Sequence, residues 1–286
     1  MKYLLKNGTV ISGAGTRKQD VLVEGEKIIK VGEELSQPDA KVVDVSGKLL
    51  FPGFIDGHTH FDLEVAGTVT ADDFETGTRA AILGGTTLVI DFASQDKGGH
   101  TLKEGLEKWH KKADGKCSCD YSFHMSIVEW NEETKKEIQD MINEGITSFK
   151  LYMTYPAMIV DDEDLYKIIK ALNEKGCFAG VHCENAGVID ALTGSESTGK
   201  TGSGESSSCT SGYHGSRGST PSSCNCEGSR SSGHGGAFDQ RKAYEEIIRA
   251  RENGQSVFAE TCPQYLLLGR QSFILNLISK VPICLL

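Results

Sequence analysis

No run of eighteen apolar residues occurs in this chain, so no segment is long enough to cross a bilayer as a helix. Positive charge is not in excess: 30 Lys and Arg stand against 40 Asp and Glu, and a formal net charge of −10 argues against a nucleic-acid partner. Nothing at the N-terminus has the shape of a signal peptide, because Gly8 arrives before an apolar core forms; the expected location is cytoplasmic. The nine cysteines then read as free thiols. The pairs Cys117-Ser-Cys119 and Cys224-Asn-Cys226 lack the two-residue gap of zinc knuckles and are read as chance neighbours. The stretch 194–236 has no Leu, Ile, Val, Met, Phe or Trp, and 25 of its 43 residues are Gly or Ser. Such a stretch has too little apolar surface to offset its ordering entropy. The 286 residues as a whole are 38% hydrophobic, enough for one large domain or a domain with a small appendage.

Residues 1–50 alternate in short stretches, Tyr3 to Leu5, Val10-Ile11, Val21 to Val23, Ile28 to Val31 and Val42 to Val45, punctuated by Gly8, Gly13, Gly15, Gly25 and Gly47. They predict short antiparallel strands of a small β-sandwich portion, too small to stand alone. An apolar run from Leu49 to Phe54 predicts a buried strand, and from there the pattern becomes strand, then helix, repeatedly. Helices are predicted over 72–83, 102–112, 132–144 and 162–174, and strands over 86–92, 121–128, 148–152 and 178–183. Five such strands with no sign of a second domain predict an α/β fold of the (β/α)8 barrel type, in which the chemistry sits at the strands' C-terminal ends.

The polar residues fall at those ends. The first barrel strand runs into Gly53-Phe54-Ile55-Asp56-Gly57-His58-Thr59-His60, and alternation points His58 and His60 to one side. Two neutral imidazoles there are good ligands for a divalent metal, with Asp56 available to orient one of them; the bland alternative is a chance pair on a half-exposed strand. Lys150 lies between Phe149 and Leu151, where a buried ammonium is costly unless paired. Either it snorkels to the barrel mouth, or it is a neutral amine able to take up carbon dioxide as a carbamate whose two oxygens bridge two metals. His182 ends the fifth strand beside the other candidates. His124 falls in mid-strand and is read as a strand residue, while His100, His110, Trp109 and Trp130 are read as surface or packing positions.

Several stretches together carry a specific resemblance: Gly53 to His60, Gly67 to Phe74, Gly84 to Thr87 with Ile90-Asp91, Phe149 to Tyr155, and His182 to Asn185. They resemble the dihydropyrimidinase and D-hydantoinase branch of the cyclic amidohydrolases. The match runs from 1 to about 192 and returns over 241 to 268. The resemblance implies a metal-dependent hydrolase barrel that opens the cyclic amide of dihydropyrimidines or 5-substituted hydantoins. It implies two divalent ions, zinc above manganese or cobalt, with His58 and His60 on the first, carboxylated Lys150 bridging both and His182 on the second. It makes Tyr155 the hydroxyl that stabilises the oxyanion, and it places Leu63 and Tyr152 on the loops that gate a small cyclic amide or ureide. Dihydroorotases carry an arginine just after the His-X-His pair; Phe61-Asp62 stands here, which speaks against an acidic ring.

Two departures from that pattern shape the expectations. The segment 194–240 stands where the family has helix five, strand six and the second metal's other histidine, near Phe238. It is either a flexible Gly/Ser linker or a stretch translated out of frame, since alanine codons (GCN) read one base early give NGC, encoding Ser, Gly, Arg or Cys. The pattern resumes at Arg241 as helix six and a seventh strand ending in Glu260 to Tyr265, and 269–286 reads as an aberrant tail. The eighth strand, with the aspartate that shuttles a proton to the leaving nitrogen, is not found, so the barrel is expected to be incomplete. For the chain as written the expectation is weak or single-metal binding, little or no turnover, and no assembly into the relatives' tetramer. The competing readings are a non-catalytic scaffold or an inactive gene product.

Overall fold

The computed structural model describes residues 1–65, 67–183, 186–187, 224–227 and 247–260. The N-terminal strands β1 (Lys2–Ser12), β2 (Gly15–Glu24), β3 (Lys27–Gly32), β4 (Lys41–Asp44) and β5 (Leu49–Leu50) form a five-stranded sheet in the order β3-β2-β1-β4, with β5 also on β1. The two short strands expected over 3–11 are one strand bent by a bulge between Leu5 and Gly8. There Asn7 adopts φ 66° and donates its N–H to Asp20. Gly8 sits at that bend close under Leu50, whose Cδ1 would lie 2.7 Å from a Cβ there. The expectation of purely antiparallel pairing fails: β4 and β5 both pair with β1 in parallel. The connection over 33–40 carries the chain back across the sheet, pinned where the buried Asp20 accepts from Leu35 N–H.

The expected buried strand over 49–54 is divided. Leu49–Leu50 stays with the small sheet, and β6 (Phe54–Thr59) begins a second, seven-stranded one. Since β6 ends that sheet, Phe54 and Ile55 are half or more exposed. A hairpin of β7 (Glu64–Val65) and β8 (Thr68–Val69) follows. Then α1 (Phe74–Leu83), β9 (Thr86–Ser94), α2 (Leu102–Ala113), β10 (Asp120–Ser126), α3 (Glu132–Asn143), β11 (Ser148–Tyr152), α4 (Asp162–Glu174) and β12 (Phe178–His182) alternate as expected. The helix starts are set by Asp73, Thr101, Asn131 and Asp161, each accepting a backbone N–H of the first turn.

One expectation over 194–240 is corrected. Cys224–Glu227 is a strand, β13, paired in parallel with β12; a strand edge offers backbone donors and acceptors whatever the incoming side chains. Residues 247–252 are helical, and β14 (Val257–Glu260) completes the sheet beside β13. The rest of 194–240 and all of 269–286 lie outside the described residues, as does any histidine near Phe238. All neighbours in the large sheet are parallel, and their order, β6-β9-β10-β11-β12-β13-β14, follows the chain. An open doubly wound sheet reverses direction at a switch point; this one never does, as in a barrel.

The two faces separate cleanly. Phe123, Met125, Phe149, Leu151, Ala179 and Val181 pack outward with Leu106, Trp109, Ile138, Leu165 and Ile168 of the helices in one core. Residues of opposite parity, Phe92, His124, Lys150 and His182 among them, point inward.

Candidate metal centre

Strand β6 delivers the two imidazoles. A register shift against β9 between Asp56 and Thr59 leaves His58 and His60 on the inner face, their Nε2 atoms 3.1 Å apart. Two Zn–N bonds of about 2.0–2.1 Å subtend roughly 100° at that separation, so the pair fits one ion. Asp56 was expected to orient an imidazole; instead its Oδ1 accepts from the backbone N–H of His58 at 3.2 Å. The carboxylate that faces the ring is Glu260, whose Oε2 lies 3.0 Å from His58 Nδ1. With Nδ1–H given to Glu260, the lone pair of His58 sits on Nε2, facing His60.

Behind the pair, Asp91 holds the turn. This buried carboxylate, 1% exposed, takes two donors on each oxygen. Thr59 Oγ1 (3.1 Å) and Phe61 N–H (2.8 Å) reach Oδ2, while Phe92 N–H (2.7 Å) and Trp109 Nε1–H (3.1 Å) reach Oδ1. Burial pushes the Asp91 carboxyl above its ordinary value, and the four donors oppose that shift. Trp109 therefore does more than pack. Phe61 anchors the other side of the turn against α1, where a Cβ on Gly77 would come within 2.2 Å of its ring.

The ring of Phe92 is the floor of the site. The rings of His58, His60 and His124 lie 4.5, 4.8 and 4.9 Å from it, centroid to centroid, and Lys150 Nζ lies 5.2 Å from its centroid. Lys150 is 3% exposed, and its Nζ is also 5.4 Å from the Tyr152 ring. The Tyr152 ring stacks on His182 at 6.1 Å, and Tyr155 Oη is 3.5 Å from His182 Nε2. One amine thus stands between two sets of imidazoles. A space of about 30 Å3 is lined by Phe92, His124, Phe149, Lys150, Phe178, Gly180 and Glu260.

His124 faces the same interior without being placed to bind. Its Nε2–H donates to Gly57 O at 2.9 Å and its Nδ1 accepts from Ser148, so both nitrogens are used; burial lowers its pKa and keeps it neutral. Tyr152 is a buried residue at the end of β11 rather than part of a gate. Leu63 stands at the base of the β7–β8 hairpin, exchanging hydrogen bonds with Thr70 and half-buried against the core. Tyr155 heads the loop after β11 with φ 66°, a conformation rarely adopted by a bulky residue. That loop is tied down by Lys97, whose Nζ donates to the carbonyls of Pro156 (3.1 Å) and Ile159 (3.0 Å). Lys97 also lines an open cleft of about 460 Å3 with Glu129, Trp130 and Ile159. Among the described residues no three His, Cys, Asp or Glu side chains gather closely enough to hold an ion by themselves, and the donor that shares the Phe92 floor with the imidazole pair is Lys150. Away from the site, burial raises the Cys117 thiol to about 11 and raises Cys119 as well, so that pair lacks the thiolate character a soft metal needs.

Glu260 and Phe92 were given no role by the sequence reading, and Asp91 was noticed only as part of a motif. An acid closing a barrel strand at its C-terminal end is a detectable signal, which Glu260 carried; nothing short-range marks Phe92.

A sequentially wound parallel sheet that gathers imidazoles and a buried lysine at its strands' C-terminal ends has the arrangement of a (β/α)8-type barrel with its polar groups at the mouth. The chain belongs to the amidohydrolase family, whose profile matches residues 49–209. It is 40% identical over 284 residues to a D-hydantoinase of Geobacillus stearothermophilus, covering 96% of this chain and 58% of that protein. It is 43% identical over 189 residues to a dihydropyrimidinase of Dictyostelium discoideum, covering 65% of this chain and 37% of that one. The crystal structure of a dihydropyrimidinase from Brevibacillus agri superimposes with a TM-score of 0.82 at 34% identity, over 99% of this chain and 60% of that one. A D-hydantoinase from a Bacillus species superimposes with a TM-score of 0.79 at 35% identity, over 93% and 58% of the two chains. The chain therefore spans about 60% of the length of these bacterial relatives.

Proposed function

We propose that this chain carries the metal-binding and carbonyl-activating half of a cyclic-amide hydrolase acting on dihydropyrimidines or 5-substituted hydantoins. The observation that carries the reading is the place of Lys150, its Nζ within 5.2 Å of the Phe92 ring on which His58 and His60 pack and within 5.4 Å of the Tyr152 ring on which His182 stacks. The relatives' names supply the substrate class.

In this reading His58 and His60 would hold one divalent ion, zinc by ligand type, and His182 would hold a second. Lys150, carboxylated, would be a further ligand. The ions supply a water acidic enough to ionise near neutral pH and a Lewis acid for the ring carbonyl. The chain's own groups do the rest. Glu260 fixes the His58 tautomer, Asp91 fixes the turn between the two histidines, and the Phe92 floor keeps the interior dry. The Tyr155 hydroxyl donates to the oxygen of the carbonyl as negative charge grows there, a contribution of about 3–4 kcal/mol for donors of this kind. Leu63 and the segment after Tyr152 border the opening through which a small ring enters.

The test is zinc binding together with hydantoin and dihydrouracil opening by the full chain. The expected result is that zinc binds with His58 and His60, and that ring opening, however slow beside a full-length relative, tracks zinc occupancy and vanishes in Lys150→Ala. Hydrolysis indifferent to chelation, or zinc binding indifferent to loss of both histidines, overturns the assignment.

A further inference from the structure

Ser126 closes β10, is 0% exposed, and its Oγ is, among the described residues, the buried side-chain polar atom without a hydrogen-bond partner. Buried hydroxyls are almost always satisfied, so an orphan in a site asks what it is kept for. Its direction is fixed by its neighbours. Met125 packs outward, its Cε 3.0 Å from where a Cβ on Gly105 of α2 would stand, so alternation turns Ser126 inward with His124. In register beside it on β11 is Lys150, and beside Lys150 on β12 is Gly180. A Cβ on Gly180 would already touch Lys150 Cδ at 3.7 Å. The lysine stem is therefore flanked by a hydroxyl on one strand and by bare backbone on the other. Ser94, the next residue of that layer on β9, has its hydroxyl 3.5 Å from Phe92 O and is not orphaned.

We propose that Ser126 is a positioning residue: its hydroxyl donates to a carbamate formed on Lys150 and sets which way that carboxylate turns. The inference rests on the reading of Lys150 given above. In the step concerned, the lone pair of neutral Nζ attacks the carbon of carbon dioxide, a C–N bond forms, and one C=O pair moves onto oxygen. Nζ then releases a proton to solvent, leaving –NH–COO⁻ with no change of oxidation state. Donation from Ser126 satisfies the orphan and leaves the other carbamate lone pairs directed into the barrel.

The experiment incubates the full chain with 13C-bicarbonate and reads the carbamate carbon by 13C NMR, with Lys150→Ala as the blank and Ser126→Ala and Ser126→Thr as variants. The expected result is a Lys150-dependent signal in the wild type and a carbamate affinity roughly tenfold weaker in Ser126→Ala, the size of one hydrogen bond to a charged acceptor. Added bicarbonate should restore the signal, and Ser126→Thr should keep at least half of it. The melting temperature of Ser126→Ala should be no lower than that of the wild type, because the alanine removes a polar atom that had no partner. Equal carbamate in Ser126→Ala and wild type at every bicarbonate concentration overturns this inference and leaves the Lys150 reading standing. A loss in Ser126→Thr as deep as in Ser126→Ala assigns the effect to packing and also overturns it. No Lys150-dependent signal in the wild type overturns both.

Discussion

The carboxylate of Glu260 meets the imidazole of His58, Oε2 to Nδ1 at 3.0 Å, across 202 residues of chain. Glu260 ends the last strand of the seven-stranded sheet and His58 lies one residue from the end of the first, so the C-terminal ends of the two edge strands touch. The contact both closes the site and sets the tautomer that aims His58 Nε2 at His60. A carboxylate behind a metal-bound imidazole contributes about 10–100-fold in metal affinity. Glu260→Gln keeps the shape and a hydrogen-bonding group but removes the charge. Titration of the apo chain with zinc should show affinity reduced by about one to two orders of magnitude in Glu260→Gln and little changed in Asp56→Asn, since Asp56 reaches only the backbone. Equal losses in the two variants would remove the distinction drawn between these acids.

Asp91 gives a prediction about stability. Asparagine there places an NH2 group against two of the four donors that now converge on the carboxylate, so Asp91→Asn should lose about 2–4 kcal/mol by urea denaturation. The pH dependence has a definite sign. Burial raises the folded-state pKa of Asp91 above its unfolded value of about 3.9, so between those values the folded chain binds the extra proton. Stability attributable to this group is highest below the unfolded pKa and declines as pH rises through the folded one. The advantage of wild type over Asp91→Asn should therefore be larger at pH 4 than at pH 7. An advantage that grows steadily with pH would mean the four donors outweigh burial.

Much of this site was legible because it is written in short-range pattern. His58-Thr59-His60 has its spacing in three residues, Lys150 is conspicuous between Phe149 and Leu151, and each helix announces its start with a capping side chain. The failures were of two kinds. The bulge at Asn7 and Gly8 looked like a break because a glycine in a strand signals either, and the parallel pairing of β4 depends on how the chain returns over 33–40, which no local pattern encodes. The pairing of Glu260 with His58, and the layer formed by Ser126, Lys150 and Gly180, come from register between strands far apart in sequence. Asp56 was chosen to orient an imidazole because it is two residues from His58; the sheet's curl brought Glu260 to that task.

Close approach of helix to sheet yields the next test. Gly105 in α2 lies so near β9 that a Cβ would stand 2.5 Å from Ser94 O, which is backbone and cannot turn aside. Gly105→Ala should cost about 1–3 kcal/mol or more by forcing α2 off the sheet. Gly77→Ala meets the Phe61 ring instead, at 2.2 Å, and should act through the turn that carries His60. The two variants should therefore differ in kind, with zinc affinity per folded molecule kept in Gly105→Ala and lowered in Gly77→Ala. That is checked by zinc titration at a temperature where both are folded.

Lys97 holds the loop that presents Tyr155. Its two hydrogen bonds to Pro156 O and Ile159 O add to the backbone bonds that the Met158 and Ile159 N–H groups make to Tyr155 O, in a segment whose first residue carries an unfavourable backbone conformation, φ 66°. Released, Tyr155 should relax toward negative φ and withdraw its hydroxyl from the neighbourhood of His182. Tyr155→Phe deletes the hydroxyl outright and should lower kcat for hydantoin opening by about 10²–10³-fold, the usual loss for a donor to a developing oxyanion. Lys97→Ala should fall between that variant and wild type in kcat, with zinc stoichiometry unchanged because the lysine touches no ligand. Adding Lys97→Ala to Tyr155→Phe should then lower kcat no further, since both act through one hydroxyl. If the two losses multiply instead, Lys97 serves the reaction by a route other than Tyr155, and the adjoining cleft with Glu129 and Trp130 becomes the place to look.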